Sequence, residues 1–493
     1  MDRWKLFSLV ITLERGKVFK KSEGFYDMSY LDRINEYKDE MVSTLQELIA
    51  IPSVKTEPQG AEDPFGPELA RALNYVLEWG QENGFETKNL SGYAGHFEYG
   101  EGGETVGVLV HLDVVPAGEG WLYPPFSGAL SEGRIYGRGA IDDKGPAVAV
   151  MYALKALKEE GVKLARKIRI IFGCDEESGW QCMEHYFKHE TKPEYGFTPD
   201  ANFPLINCEK GQLSLVIEGQ FPAVEEGCKL HSFSGGSRRN IVPEWAEAII
   251  TFPDQQQLLK FKESVSEKLS KEILCCEVGK ENQLRVQAKG RPAHGSLPQQ
   301  GDNAITKLIK VMSTLNCRGG AWDGIRFIQD GFGRETTGQG LGINCRDQLS
   351  GELTINLGVL KVEQEKIRME VDIRYPLCTD HQVIQNKIEE KLPAYGLKIT
   401  ESSALAPHYL AEDNWLVKVL LNVYRGETQD YTAPLSTGGR TYAVTLGNAV
   451  AFGPNFPGQP ETAHQKNEFM SEQDLMACAR IYAKALYELT KEE

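Results

Sequence analysis

Apolar residues recur at helical spacing from Tyr30 to Ile51, and Ile51-Pro52-Ser53-Val54 closes the run, as expected of an amphipathic helix stopped at a proline. A second helix is predicted from Gly66 to Asn83, with Gly84 just past its end. Strand signals follow over 86–99 and over Val106–His111, where TVGVLV is an apolar run. GPAVAVMYALKALKEE, Gly145–Glu160, reads as a helix with Pro146 tolerated in its first turn and Gly161 beyond its end. Ile168–Phe172 has the length and composition of a buried strand. Strands alternating with helices predict a largely parallel sheet.

After Glu209-Lys210-Gly211 the texture changes. QLSLVIEGQFP, AEAIITF, QLRVQAKG, GELTINLGVLKV and KIRMEVDIRYPL alternate polar and apolar positions, as half-buried antiparallel strands do. Helical stretches lie between them at Gln255–Lys271 and Asn303–Leu315, and a helical pattern returns at Asn414–Tyr424. The simplest organisation is an α/β domain built from residues 28–210 and 406–493, interrupted by an α+β insertion over 211–405, an ordinary size for a domain. No internal repeat is visible.

Composition narrows the function. A chain of 493 residues, 41% hydrophobic, can bury a large core. Its net charge of −16, from 54 basic and 70 acidic residues, argues against nucleic acid as the main ligand. Ten cysteines lie scattered without a C-x-x-C pair, several inside apolar runs (Cys174, Cys208, Cys345). That pattern suits buried free thiols in a reducing cytoplasm rather than a disulfide framework. The adjacent Cys275 and Cys276 are read as small hydrophobes, not as a soft-metal site. No segment has the ~18–20 apolar residues of a membrane span. LFSLVITL near the amino terminus stands behind two basic residues, but Glu14, Arg15 and Lys17 follow it with no small-residue cleavage site. Met28 is a second plausible start, so residues 1–27 are expected to lie outside the folded domain.

Three clusters carry the chemistry. In HLDVVPAGEGW, His111 ends the first buried strand, which is where open α/β sheets place ligands. Asp113 points to the same side, so its carboxylate could accept the second imidazole N–H and set the tautomer. In YGRGAIDDKGP, Asp142 and Asp143 stand just ahead of a helix. A carboxylate there could bridge two cations about 3.5–4 Å apart, and one of the pair could instead cap the helix. In IRIIFGCDEESGW, Glu176 and Glu177 follow a buried strand and face opposite ways, so one could ligate metal while the other faces a water. Asp200 in GFTPDANFP and His464 in ETAHQKNE complete a set. His111, Asp142, Glu177, Asp200 and His464 offer imidazole and carboxylate donors, which suit zinc, manganese or cobalt. Thiolates are absent from the set, which disfavours a closed structural zinc site. A rival pair, His185 and His189, sits four apart on one helix face, but Glu184 precedes the first histidine and H-E-x-x-H is not formed.

Taken together, these motifs resemble those of the M20 metallopeptidases, most closely their PepV-type dipeptidase branch (Xaa-His dipeptidase or carnosinase-like), over nearly the whole chain from about Met28. The resemblance implies a zinc-peptidase-type mixed sheet flanked by helices, with residues 211–405 as an inserted lid. It implies two divalent cations, zinc first and manganese or cobalt as alternatives. One would sit on His111, Asp142 and Asp200, the other on Asp142, Glu177 and His464, with the peptide after Asp142 cis. It also makes Glu176 the general base and Asp113 the residue that orients His111. By motif, His294 in RPAHGSLPQQ resembles an oxyanion-stabilising lid histidine, and Asn240 in SRRNIVP and Arg374 in DIRYP resemble substrate-holding residues. Gly438 and Gly439 in STGGRTYA resemble a glycine loop at the substrate carboxylate, although Arg440 follows where the match loosens.

The function implied is hydrolysis of dipeptides in the cytoplasm by a monomer or homodimer, without nucleic-acid or membrane partners. The alternatives are an M20-type carboxypeptidase, an N-acyl amino-acid deacylase of the acetylornithine or succinyl-diaminopimelate class, and an inactive metal- or peptide-binding homologue.

Overall fold

The computed structural model describes residues 29–492 apart from 225, 269–272, 278–281, 316 and 334. The expectation for residues 1–27 and the predicted end of the Gln255–Lys271 helix lie outside the described residues, as do the side chains of Cys275 and Cys276.

Two sheets, each with its own apolar core, organise the described residues. The first is mixed and nine-stranded. At its centre Thr105–His111 runs parallel to Lys167–Gly173 on one side and Tyr195–Thr198 on the other. Val106, Val108, Leu109 and Val110 are fully buried, as are Ile168, Ile170, Ile171 and Phe172, because helices cover both faces of a parallel sheet. Lys144–Glu159 and Glu472–Thr490 pack against each other and against this sheet. The C-terminal helix was not anticipated, yet its start is marked: Ser471 Oγ accepts the Asp474 N–H at 2.9 Å, a side-chain N-cap.

The second sheet is antiparallel and eight-stranded, with Ala304–Met312, Ala321–Gly331 and His381–Lys391 among its helices. Its strands Gly211–Gln220 and Lys398–Leu405 are paired neighbours, with Gln212 opposite Leu405. Immediately outside them, Ile206–Glu209 and His408–Tyr409 are paired neighbours in the first sheet, with His408 opposite Glu209. The chain therefore crosses between the sheets twice, side by side.

Two predicted elements are divided. The helix expected over Tyr30–Ile51 breaks into Ser29–Glu36 and Lys38–Ile49. At the break the Tyr37 N–H reaches back three residues to the Ile34 carbonyl, at 3.1 Å, and its ring meets Tyr152 edge-on. The strand signal over 86–99 is a hairpin, Glu86–Leu90 with Ala94–Tyr99, turned by Ser91 and Gly92, both at positive φ. Paired positive-φ positions match the twist of the flanking strands.

His96, in the second strand of that hairpin, is 6% exposed, with its Nδ1 2.7 Å from the Tyr186 hydroxyl. Burial, aided by Arg169, lowers its pKa to about 4. The folded protein thus resists protonating a group that titrates near 6.5 when unfolded. Its contribution is complete above pH 6.5 and is lost as pH falls from 6.5 toward 4. Between pH 7.5 and 5 the wild type should lose about 2 kcal/mol more stability than His96→Asn in urea unfolding. Equal losses would remove His96 from this role.

Candidate metal centre

Three adjacent parallel strands deliver most of the site from their carboxyl ends. His111 closes Thr105–His111, Glu176 and Glu177 follow Lys167–Gly173, and Asp200 follows Tyr195–Thr198. Asp142 precedes the helix Lys144–Glu159, and His464 comes from the loop ahead of the strand Phe469–Ser471. The five predicted ligands, drawn from positions up to 353 residues apart, converge.

The two carboxylate oxygens of Asp142 face different histidines. Oδ1 is 2.9 Å from His111 Nε2, and Oδ2 is 2.9 Å from His464 Nε2. His464 Nε2 also lies 2.8 Å from Glu177 Oε1, and His111 Nε2 lies 3.8 Å from Asp200 Oδ2. Glu176 falls on the His111 and Asp200 side, its carboxylate within 4.8 Å of both. The Asp142–Asp143 peptide is cis. Asp143 occupies the N-cap position but makes no side-chain cap bond. Its Oδ2 accepts the His111 N–H at 3.1 Å and its Oδ1 is buried without a partner.

Asp113 meets His111 through its backbone more closely than through its side chain. His111 Nδ1 is 2.9 Å from the backbone carbonyl of Asp113, and the Asp113 carboxylate is 3.6 Å away. With Nδ1–H donating to that carbonyl, Nε2 is left to face the carboxylates. The Asp113 side chain, fully buried, accepts the N–H groups of Glu176 and Glu177, each at 2.9 Å. A carboxylate with two amide donors in reach is better satisfied there than by an imidazole already bonded elsewhere. Asp113 thus fixes the Glu176–Glu177 backbone.

The electrostatics state the chemistry of the donor set. Burial, reinforced by neighbouring carboxylates, raises the pKa of Glu176 well above the usual range, that of Asp200 above it, and that of Glu177 to about 7. Burial alone would lower the two histidines, but Asp142 and Glu177 lift His464 to about 12, and Asp113, Asp142 and Asp200 hold His111 well above 6.5. Half-buried acids so crowded must draw protons or cations. Two imidazoles and three carboxylates, one of which faces both groups, fit a pair of divalent cations.

Of the remaining predicted residues, Asn240 and His294 lie on the second sheet's loops, Arg374 near the end of its strand Lys366–Tyr375, and Gly438 and Gly439 on the loop that follows the strand Leu435–Thr437. His294 Nδ1 is 2.6 Å from Ser296 Oγ and accepts the Ser296 N–H at 3.3 Å. That assigns the ring proton to Nε2. Although the residue is exposed, desolvation of the ring in the cleft, with Arg374 and His464 adding to it, lowers its pKa. Asn240 is its neighbour: the Asn240 carbonyl accepts the Gly295 N–H at 2.6 Å, and Asn356, not anticipated, holds this turn through the Arg239 and Ile241 carbonyls. Arg374 donates Nε to Asp372 and Nη1 to the Gly438 carbonyl, each at 2.9 Å. A Cβ on Gly438 would stand 3.0 Å from Ser296 Cβ, so glycine permits this close approach. Gly439 N–H bonds to Thr437 Oγ1 at 2.9 Å. Arg440 turns away, giving Nη1 to the carbonyls of Lys210 and Ala406, where the chain crosses between sheets.

His185 stacks on Tyr93 at 4.0 Å and lies tilted against His189 at 4.3 Å, and His189 Nδ1 is 2.8 Å from the His185 carbonyl. Tyr442, also missed, packs 6.4 Å from the His111 ring over Gly173, where a Cβ would meet its hydroxyl at 2.4 Å.

Residues 107–488 match the family model described as peptidase family M20/M25/M40. The chain belongs to the M20 peptidase family. Among similar M20 proteins is one of Bacillus subtilis (strain 168) named "Putative dipeptidase YtjP", 41% identical over 459 residues, covering 92% of this chain and 98% of that one. A Staphylococcus epidermidis protein named "Putative dipeptidase" is 33% identical over 468 residues, covering 94% and 99%. Two solved structures share the fold. Human carnosine dipeptidase 1 has a TM-score of 0.54 at 15% identity, covering 94% of this chain and 99% of that one. The di-peptidase Dug1p from Saccharomyces cerevisiae has a TM-score of 0.53 at 15% identity, with the same coverage. No helix among the described residues is long and apolar enough to cross a membrane.

Proposed function

We propose that this M20 peptidase is a dinuclear metallodipeptidase, and the observation that carries the reading is the Asp142 carboxylate, whose two oxygens face two different histidines. One cation belongs to His111, Asp142 and Asp200, the other to Asp142, Glu177 and His464. Zinc is the first candidate for both, with manganese or cobalt as alternatives. Bound there, the cations supply Lewis acidity and make a water acidic enough to lose its proton near neutral pH.

The chain's own groups do the rest. Glu176 takes the proton of the attacking water and returns it to the leaving amine. His294, neutral and carrying its proton on Nε2, donates to the developing oxyanion. Arg374 has committed Nε and Nη1, which leaves Nη2 for the free carboxylate of a short substrate. Asn240, Gly438 and Gly439 line that end.

Residues 28–210 and 406–493 act as the catalytic unit and 211–405 as its lid. Because lid and ligands come from one chain, a monomer or homodimer holds the full set. Several buried free cysteines (Cys174, Cys182, Cys208, Cys228, Cys478) suit a cytoplasmic location.

Exhaustive chelation should abolish dipeptide hydrolysis, and added zinc or manganese should restore it. Activity that survives chelation would exclude the metal mechanism. On the reconstituted protein, dipeptides should be turned over well ahead of N-acyl amino acids. The reverse order would make it a deacylase of the same family.

A further inference from the structure

Asp142 and His464 both sit on irregular backbone, His464 at a φ of 61°. Flanking strands bring their segments together, with Tyr136 opposite Phe469, but those strands stop short of both ligands. A buried ion pair spans the remaining gap. Arg138 is 2% exposed and Glu468 0%, and Arg138 Nη1 meets Glu468 Oε2 at 2.5 Å. The other oxygen, Glu468 Oε1, accepts the N–H groups of Ile141 at 3.1 Å and Asp142 at 3.3 Å. The guanidinium donates onward to the carbonyls of Gln465 and His464, each at 3.3 Å. One ion pair therefore ties the backbone of the shared carboxylate ligand to that of the histidine opposite it.

Burying two charges is costly, and an apolar pair of similar volume would often stabilise a fold as well or better. What an apolar pair lacks is directional bonds to the amide of Asp142 and the carbonyl of His464 at once. We propose that Arg138 and Glu468 are positioning residues that set the spacing of Asp142 and His464, and so the affinity for the cation held by Asp142, Glu177 and His464. The inference rests on the dinuclear reading. It bears unequally on the two cations, because the ion pair holds both Asp142 and His464 of one, whereas His111 of the other is held by the Asp143 carboxylate and the Asp113 carbonyl.

Calorimetric titration of zinc into metal-free protein, with metal counted after dialysis, reads this without activity. Glu468→Gln should weaken the cation held by Asp142, Glu177 and His464 about 10–100-fold, the scale for removing a partner that orients a ligand, and the other cation, which shares only Asp142 with it, distinctly less. Arg138→Lys keeps the buried charges balanced but loses the planar fork, and should weaken the same cation in the same sense. If Glu468→Gln does not fold, Arg138→Lys decides. Two cations at wild-type affinity in a folded variant, or equal weakening of both, would overturn the proposal. A wild type that binds fewer than two cations would instead bring down the dinuclear reading, and this inference with it.

Discussion

Asp142→Asn should release both cations together and take dipeptide hydrolysis down to the level of the chelated enzyme. The substitution keeps the side chain's size but replaces one oxygen with an NH2 group, which donates and cannot ligate. In the folded protein one oxygen faces His111 and the other His464, 2.9 Å each. Either orientation of the amide therefore deprives one histidine of its shared acceptor, and the charge that both cations would use is gone. Glu177→Gln is the control. Glu177 contacts His464 at 2.8 Å, so its loss should weaken one cation only. Metal counting after dialysis distinguishes the two patterns, and two equivalents retained in Asp142→Asn would refute the shared position.

Glu176→Gln should leave both cations bound while kcat falls about 10²–10⁴-fold, the usual worth of a positioned acid–base group. Geometry alone leaves Glu176 two possible jobs, since its carboxylate lies within ligating distance of His111 and Asp200. Its neighbour is committed to His464, and the shared Asp113 carboxylate holds both amides. If Glu176 were a ligand, its amide variant would lose metal as well as rate. Near-normal rate would remove it from the base role, and lost metal would make it a ligand.

Much of this was legible in the chain. TVGVLV is a nearly continuous apolar run and IRIIF is interrupted only by Arg169, so their burial between helices, and the emergence of His111 and the Glu176–Glu177 pair at their ends, follow from local pattern. The change from continuous to alternating strands near Gly211 marked the second sheet for the same reason. What local pattern could not convey was which distant group meets which polar atom. Asp113 was expected to serve the histidine two residues away; that its carboxylate also takes amides 63 and 64 positions on had no local sign. No local pattern marks Arg138 or Glu468, and only a contact across 330 positions joins them. The hairpin at Ser91–Gly92 and the capped helix at Ser471 did carry short-range signals, in a Ser-Gly turn and a serine three residues before an acid.

Anomalous diffraction from crystals of the zinc- or manganese-loaded protein tests the central claim most directly. Two peaks about 3.5–4 Å apart should flank the Asp142 carboxylate, one beside His111 and Asp200 and the other beside Glu177 and His464. A single peak, or two ions that do not share Asp142, would contradict it.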